Sequence, residues 1–158
     1  LCDIIHTDKS KIYLYDKKSG QVMWFDSRGE KNFMDANVGI VGQVVKLKEY
    51  ELVSNGYTHN LFNGKIDIET SMPLLCWPIK HPNNEEEVIG TFQAVYPRAI
   101  QGLSSALKKV YLSSSEHETF DFFSKQLAQA IMNNGEGRQG SSDSIHSPLL
   151  FEKKSSIL

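Results

Sequence analysis

Two apolar runs separated by a short polar segment constrain the fold of this chain more than any other feature. The runs are residues 72–79 and 88–96, and the segment between them is rich in Pro, Asn and Glu. Apolar runs of this length on either side of turn-forming residues predict two buried strands joined as an antiparallel hairpin. We therefore expect a sheet at the centre of the fold, with the polar turn at residues 81–87.

Further strands are predicted on the N-terminal side of this hairpin. Residues 11–16 and 21–26 are rich in aromatic and branched side chains and flank a Lys-Lys-Ser-Gly turn, which predicts a first hairpin. Residues 51–53 have the composition of a short edge strand. Residues 27–37 are mostly polar, and we expect them to form a loop that carries Phe33.

Helical spacing of apolar residues appears in three segments. Residues 116–132 show it most regularly, while residues 38–49 and 99–112 show partial stripes. Residues 1–5 resemble the last turn of a helix whose start is missing. From residue 135 the composition changes to Gly, Ser, Glu and Gln, which is typical of a flexible tail. The prediction is one domain over residues 1–134, followed by a tail or linker over residues 135–158.

Composition excludes several classes of function. A chain of 158 residues with 40% hydrophobic side chains is large enough for one core. A formal net charge of -2 provides no basic surface for nucleic acid. Apolar runs stay well short of the ~20 residues that a membrane-spanning helix needs. Only two cysteines are present, which favours a reducing, cytoplasmic setting.

The sequence contains none of the residue spacings or motifs that are typical of catalytic or metal-binding sites. The five histidines are dispersed without the spacing of a metal-binding helix, and there is no glycine-rich phosphate loop. Cys76 lies between Leu75 and Trp77, an apolar setting that disfavours a reactive thiolate. We therefore predict no catalytic residue, no metal site and no resident cofactor.

Four motifs in a fixed order resemble the GAF family of small-molecule sensor domains. They are residues 39–42, 74–80, 87–95 and 123–131, and the resemblance runs over residues 3–132. It implies an α+β fold with a central antiparallel sheet of five or six strands. It also implies helices on one face of the sheet and a loop-covered pocket on the other.

The resemblance is greatest to the regulatory GAF domains of cyclic nucleotide phosphodiesterases, and it implies a set of ligand-binding positions. Phe25 and Asp26 stand at positions that face the purine, and Ile40 and Val41 open the helix that packs near base and ribose. Asn63, Asp67 and Thr70 lie in the loop that closes over the ligand. Gln93 stands at a sheet position that is often polar in these domains. Free backbone N–H groups at the start of that helix also favour an anion.

This chain departs from the cyclic-nucleotide motif at two places. Tyr96 and Pro97 stand where such binders carry an Asn-Lys pair, and Leu112, Glu116 and His117 replace a later aromatic and acidic pair. The Lys–Asp salt bridge of the resembled scaffold is therefore not expected here.

Two hypotheses for function follow from the resemblance. In the first, a small polar ligand, with the cyclic purine nucleotides cAMP and cGMP as candidates, orders residues 55–69. The change then passes through terminal helices, which form a parallel dimer in relatives, to an attached domain. In the second, the pocket is vestigial and the domain is a dimerisation or protein-interaction module. The partners are accordingly a small molecule and either a second copy or a neighbouring domain.

Overall fold

A computed structural model of the protein describes Thr7, residues 9–96 and residues 112–136. Within these ranges it contains six strands and two α-helices. The strands are β1 (Ser10–Asp16), β2 (Gln21–Phe25), β3 (Lys31–Asp35), β4 (Glu51–Val53), β5 (Leu74–His81) and β6 (Asn84–Val95). The helices are α1 (Gly39–Leu47) and α2 (Ser114–Glu136), and a short 3-10 helix spans Gly56–Thr58.

The strands form one antiparallel sheet in the order β3-β2-β1-β6-β5-β4. Its centre is the predicted hairpin of β5 and β6, in which Leu75 lies opposite Ala94 and Trp77 opposite Phe92. The predicted hairpin of β1 and β2 is also present, with Leu14 opposite Met23. The expected α+β fold with a central antiparallel sheet of five or six strands is thus confirmed. The predicted turn at 81–87 is shorter, because β5 continues to His81 and β6 begins at Asn84.

The prediction of a loop over residues 27–37 is wrong, because residues 31–35 form strand β3 at one edge of the sheet. Phe33 pairs with Met23 of β2, and Met34 packs against the core. An edge strand is half solvated, so its other side chains stay polar or exposed and the alternation that marks a buried strand is weak.

The two faces of the sheet are covered by different elements. On one face, which we call the loop face, α1 and the segment 54–73 cover a buried cluster that includes Tyr13, Trp24, Val41 and Cys76. On the other, the long-helix face, α2 packs on residues that alternate with these, among them Leu75, Trp77, Phe92 and Phe120. The resemblance predicts helices on one face of the sheet. The described helices lie on opposite faces because β5 and β6 are apolar on both sides, and each side needs cover.

Several predicted segments lie outside the described residues. They are the helical turn at residues 1–5, the main part of the helix at 99–112, and the tail beyond residue 136. The helix predicted at 116–132 is α2, which extends further at both ends. No helix in the described part of the chain combines the length and the apolar character needed to cross a membrane.

Candidate functional site

The carboxylate of Asp67 lies at the N-terminus of α1. The N–H of Ile40 donates to Asp67 Oδ2 at 3.0 Å, and the N–H of Val41 donates to Oδ1 at 3.2 Å. The residue at the N-cap position, Val38, has no side chain that can accept these bonds. Asp67, which is only 2% exposed, therefore caps a helix from a distant part of the chain. Its negative charge also interacts favourably with the helix dipole.

Gly39 makes this arrangement possible. Its φ of +76° lies in the left-handed region, and a Cβ at this position would come within 2.6 Å of Asp67 Oδ2. Any other residue would carry backbone strain and would also collide with the carboxylate. The glycine at the start of the resembled motif thus has a packing role in this chain.

Gln93, on the central strand β6, connects Asp67 to the sheet. Its side-chain N–H donates to Asp67 Oδ1 at 2.7 Å, and its Oε1 accepts from the N–H of Ile68 at 3.0 Å and from the Tyr13 hydroxyl at 3.1 Å. Gln93 is fully buried, so these bonds offset the cost of removing an amide from water.

Tyr13 and Lys11 of β1 hold the same segment from the other side. The Tyr13 hydroxyl donates to the carbonyl of Ile66 at 2.5 Å, and Lys11 Nζ donates to the same carbonyl at 2.9 Å. Lys11 Nζ also lies 5.3 Å from the ring centre of Trp24. Sequence reasoning missed both residues, although their alternation on β1 places them on the loop face with Gln93, which lies opposite Lys11.

Burial shifts the titration of several groups at this site. The pKa of Tyr13 lies well above its ordinary value of 10.0, chiefly because of burial, with smaller effects from Cys76 and Asp67. Burial also lowers the pKa of Lys11, and the charge of Asp67 opposes part of that effect. The pKa of Cys76 is raised well above its ordinary value, again mainly by burial, so its thiol is held in the unreactive protonated form.

The segment 54–73 packs directly on the loop face. Ile66 is fully buried, Ile68 and Thr70 are nearly so, and Phe62 packs against the same cluster. Asn63 contributes its backbone N–H, which donates to Asp67 Oδ2 at 2.9 Å. The Thr70 hydroxyl accepts from the N–H of Met72 at 3.0 Å, which shapes the segment's return to β5. Side chains of the segment itself therefore occupy the space between it and the sheet.

Two of the predicted ligand-binding residues lie apart from this network. Phe25 alternates with Trp24, so it lies on the long-helix face, where it is 55% exposed. Asp26 lies in the turn after β2 and accepts from the N–H groups of Arg28 and Glu30, both at 2.9 Å. The bond from Glu30 is the main cause of the lowered pKa of Asp26.

Five of the other six predicted positions meet. Asn63, Asp67 and Gln93 come together with the start of α1, and Thr70 lies in the same segment. What the structure shows is that these residues bind one another; their contact with a ligand stays a prediction.

Other features of the described residues give no further support for chemistry. Among these residues no group of three or more His, Cys, Asp and Glu side chains is arranged to hold a metal ion. The buried hydroxyl of Thr91 is without a hydrogen-bond partner in the described part of the chain. A depression of about 310 Å³ lies at the N-terminus of α2, away from Asp67; its lining includes Leu112, Ser113 and His117.

Comparison with known proteins gives the fold. No protein-family model matches the chain. Among solved structures, the GAF domain of a phosphoenolpyruvate-protein phosphotransferase from Coxiella burnetii superposes with a TM-score of 0.65 at 16% identity, over 87% of this chain and 79% of the other. The second GAF domain of DevS from Mycobacterium smegmatis gives a TM-score of 0.58 at 14% identity, over 89% and 91%.

The fold is that of a GAF domain. Some enzymes also have this fold. The free methionine-R-sulfoxide reductase from Neisseria meningitidis, solved with its substrate, superposes with a TM-score of 0.58 at 12% identity. The match covers 87% of this chain and 74% of that protein. In this GAF-like chain the one cysteine within the described residues, Cys76, is fully buried. A reductase activity that depends on thiols therefore finds no support at that position.

Proposed function

We propose that this chain is a cytoplasmic regulatory domain that senses a small polar molecule at the start of α1, with a cyclic purine nucleotide (cAMP or cGMP) as the candidate ligand. The observation that carries the proposal is the position of Asp67. This one side chain joins the covering segment 54–73, the N-terminus of α1 and the central strand β6. A change at this position therefore reaches three elements at once.

The ligand and Asp67 compete for the same donors. Ile40 and Val41 present N–H groups at a helix N-terminus, a favourable environment for one negative charge. In the described conformation that charge is the Asp67 carboxylate. The phosphate of a cyclic nucleotide is also a monoanion, and it takes this place only when the carboxylate leaves. The domain thus has a closed state capped by Asp67 and an open state capped by the ligand.

Release of Asp67 frees the covering segment from α1. The segment keeps its bonds from Tyr13 and Lys11 to the carbonyl of Ile66, and these limit how far it moves. A ligand shifts the two states only by as much as it binds the open state better than the closed one. In the proposed mechanism the shift is passed to a neighbouring domain or to a second copy.

The test is ligand-dependent stability of the whole chain. A ligand present at a hundred times its dissociation constant adds about 2.7 kcal/mol to the free energy of unfolding. We expect cAMP or cGMP to raise the melting temperature and linear AMP and GMP to have a smaller effect. No stabilisation by either cyclic nucleotide at millimolar concentration contradicts this choice of ligand.

Two variants test the competition itself. Asp67→Asn keeps the shape of the side chain and removes its charge, so a cyclic nucleotide is expected to bind this variant more tightly. Asp121→Asn is the matched control, because it removes one carboxylate from the exposed surface of α2, where Asp121 pairs with Lys125. Loss of binding in a folded Asp67→Asn variant contradicts competition and makes Asp67 a ligand contact instead.

A further inference from the structure

Strand β3 is an open edge of the sheet, because within the described residues it pairs only with β2. Just beyond either end of this ladder, the N–H of Ala36 donates to Gly20 at 2.9 Å and the N–H of Asp26 donates to Glu30 at 3.0 Å. Hydrogen-bonded pairs alternate along an antiparallel ladder. The even-numbered residues of β3 therefore face β2, and the N–H and C=O groups of Lys31, Phe33 and Asp35 point away from it. The C=O of Asp35 also accepts from the N–H of Val38 at 3.2 Å, which leaves one of its two lone pairs for a further donor.

The side chains of these outward-facing residues lie on the long-helix face. Lys31, Phe33 and Asp35 are all exposed, whereas Asn32 and Met34 are less so. Phe33 is 56% exposed, and the neighbouring Phe25 and Ile12 are also among the large exposed apolar side chains. An unpaired strand edge beside exposed aromatic rings is the type of surface to which another strand adds.

The sequence of β3 is complementary to itself. Its outward-facing residues carry a positive charge at one end, an aromatic ring in the middle and a negative charge at the other end. When two copies of this strand run antiparallel with Phe33 at the twofold axis, Phe33 lies opposite Phe33 of the second copy. Lys31 then lies opposite Asp35 of the second copy, and the same pair forms again on the other side of the axis. Opposite charges and paired aromatic rings at facing positions stabilise antiparallel strands.

We propose that β3 is a homodimer interface, in which the sheets of two copies join edge to edge about Phe33. This register is selected by two independent features. A shift by one residue brings outward-facing N–H and C=O groups against groups that face β2. A shift by two residues leaves at least one of the charges without its opposite. The second copy is the occupant because the charge pattern of β3 complements its own reverse.

Contacts within the chain hold both charged side chains of β3 beside the edge. The Oδ1 atom of Asp35 accepts from the N–H and the side-chain amide of Asn37, at 2.7 and 2.8 Å, which fixes the carboxylate beside the edge. Lys31 Nζ lies over the ring of Phe25 at 5.8 Å from its centre, on the same face. The interface is short, so the dimer is expected to be weak and dependent on concentration. It does not depend on the ligand proposed above.

A charge-reversal pair tests the interface in the whole chain by sedimentation equilibrium. Lys31→Asp gives a strand edge with two negative charges, and Asp35→Lys gives one with two positive charges. Each variant alone places like charges opposite each other, and we expect its dimer dissociation constant to rise by at least about tenfold. Mixed together, the two variants restore both attractive pairs and are expected to form a one-to-one heterodimer as stable as the original dimer.

Controls separate the interface from effects on folding and net charge. Lys17→Asp makes the same charge change in the exposed turn between β1 and β2, and it should leave the dimer unchanged. Asp35→Asn keeps the acceptor for Asn37 and removes only the charge, so it should weaken the dimer without lowering the melting temperature. The proposal is overturned by a monomeric protein at millimolar concentration, by a dimer that neither reversal weakens, or by folded reversal variants that fail to associate when mixed.

Discussion

The side-chain amide of Gln93 donates to the carboxylate of Asp67 at 2.7 Å, in the interior between the sheet and its covering segment. Asp67 in turn accepts from the start of α1. Because both residues are almost fully buried, this contact is shielded from water and connects helix, segment and sheet through side chains rather than through the backbone.

Removal of the Asp67 carboxylate is expected to destabilise the fold strongly. Asp67→Ala leaves the N–H groups of Ile40, Val41 and Asn63 and the amide of Gln93 without their acceptor. Since unpaired buried donors cost about 1–3 kcal/mol each and part of this loss is recovered by water, we expect the free energy of unfolding to fall by about 3–5 kcal/mol. Urea denaturation measures the change.

Asp26→Ala is the matched control for Asp67→Ala. Asp26 also accepts from two backbone N–H groups, but it does so in a surface turn where water replaces the carboxylate. We expect Asp26→Ala to lower the free energy of unfolding much less than Asp67→Ala does. Equal losses in the two variants would show that the buried network contributes no more than an ordinary turn.

Gly39→Ala and Gly20→Ala separate backbone strain from collision. Both glycines have a φ near +70°, at +76° and +68°, so each substitution carries the strain of a left-handed backbone, about 1–2 kcal/mol. A Cβ on Gly20 meets no atom within 4 Å, whereas one on Gly39 meets the Asp67 carboxylate at 2.6 Å. We expect Gly39→Ala to lose about 2 kcal/mol more than Gly20→Ala in urea denaturation. Equal losses would indicate that the carboxylate moves aside at no cost.

The periodic parts of the fold were predictable from the sequence, and the edge strand was not. The hairpin of β5 and β6 is buried on both faces, which requires continuous apolar runs in its sequence. α2 is buried along one side, which requires apolar residues at helical spacing. Among the described strands β3 has a neighbour on one side only, and its residues Lys31, Asn32 and Asp35 show no apolar alternation. Its partner is the strand that directly precedes it, β2, with Phe25 opposite Lys31 next to the turn that joins them.

The contacts among the residues of the candidate site were not predictable from the sequence. The family resemblance predicts that Asp67 and Gln93 each contact a ligand. In the structure they bind each other across 26 residues of sequence, and Asp67 also replaces the missing side-chain cap at Val38. Such long-range partners depend on strand register, which a single sequence does not specify. Phe25 illustrates the same limit, since one residue of register decides which face it occupies.

Stability is expected to decline in alkaline solution because of Tyr13 and Cys76. Both pKa values are raised in the folded state, so the folded protein retains protons that the unfolded chain releases above its ordinary pKa values of 10.0 and 9.0. The stabilisation is complete below pH 9 and is lost as the pH rises further, by about 1.4 kcal/mol per pH unit for each group that titrates only in the unfolded chain.

Tyr13→Phe tests the tyrosine part of this decline. The variant loses the bonds to Ile66 and Gln93 at every pH, but it also loses the extra pH dependence above pH 10. Urea midpoints measured between pH 8 and pH 11 should therefore converge for the two proteins as the pH rises. Parallel curves would contradict a protonated Tyr13 in the folded state.

Hydrogen bonds of Glu116 connect the start of α2 to the end of β6. Glu116 accepts from the N–H of Ser113 at 2.7 Å and from its hydroxyl at 2.6 Å, and the Tyr96 hydroxyl donates to the same carboxylate. These are two of the positions at which the chain departs from the cyclic-nucleotide motif. In this chain these hydrogen bonds link the start of α2 to the end of β6.

Glu116→Ala removes the hydrogen bonds between Ser113 and Glu116, which form a capping box at the start of α2, and it also removes the contact with Tyr96. We expect it to lower the free energy of unfolding by about 1–2 kcal/mol and to speed hydrogen exchange in the first turn of α2. Glu118→Ala is the control, because Glu118 is exposed two residues further along α2 and its removal makes the same change in charge and helix propensity. If the two variants exchange equally fast, the contact between Tyr96 and Glu116 does not hold the helix to the sheet.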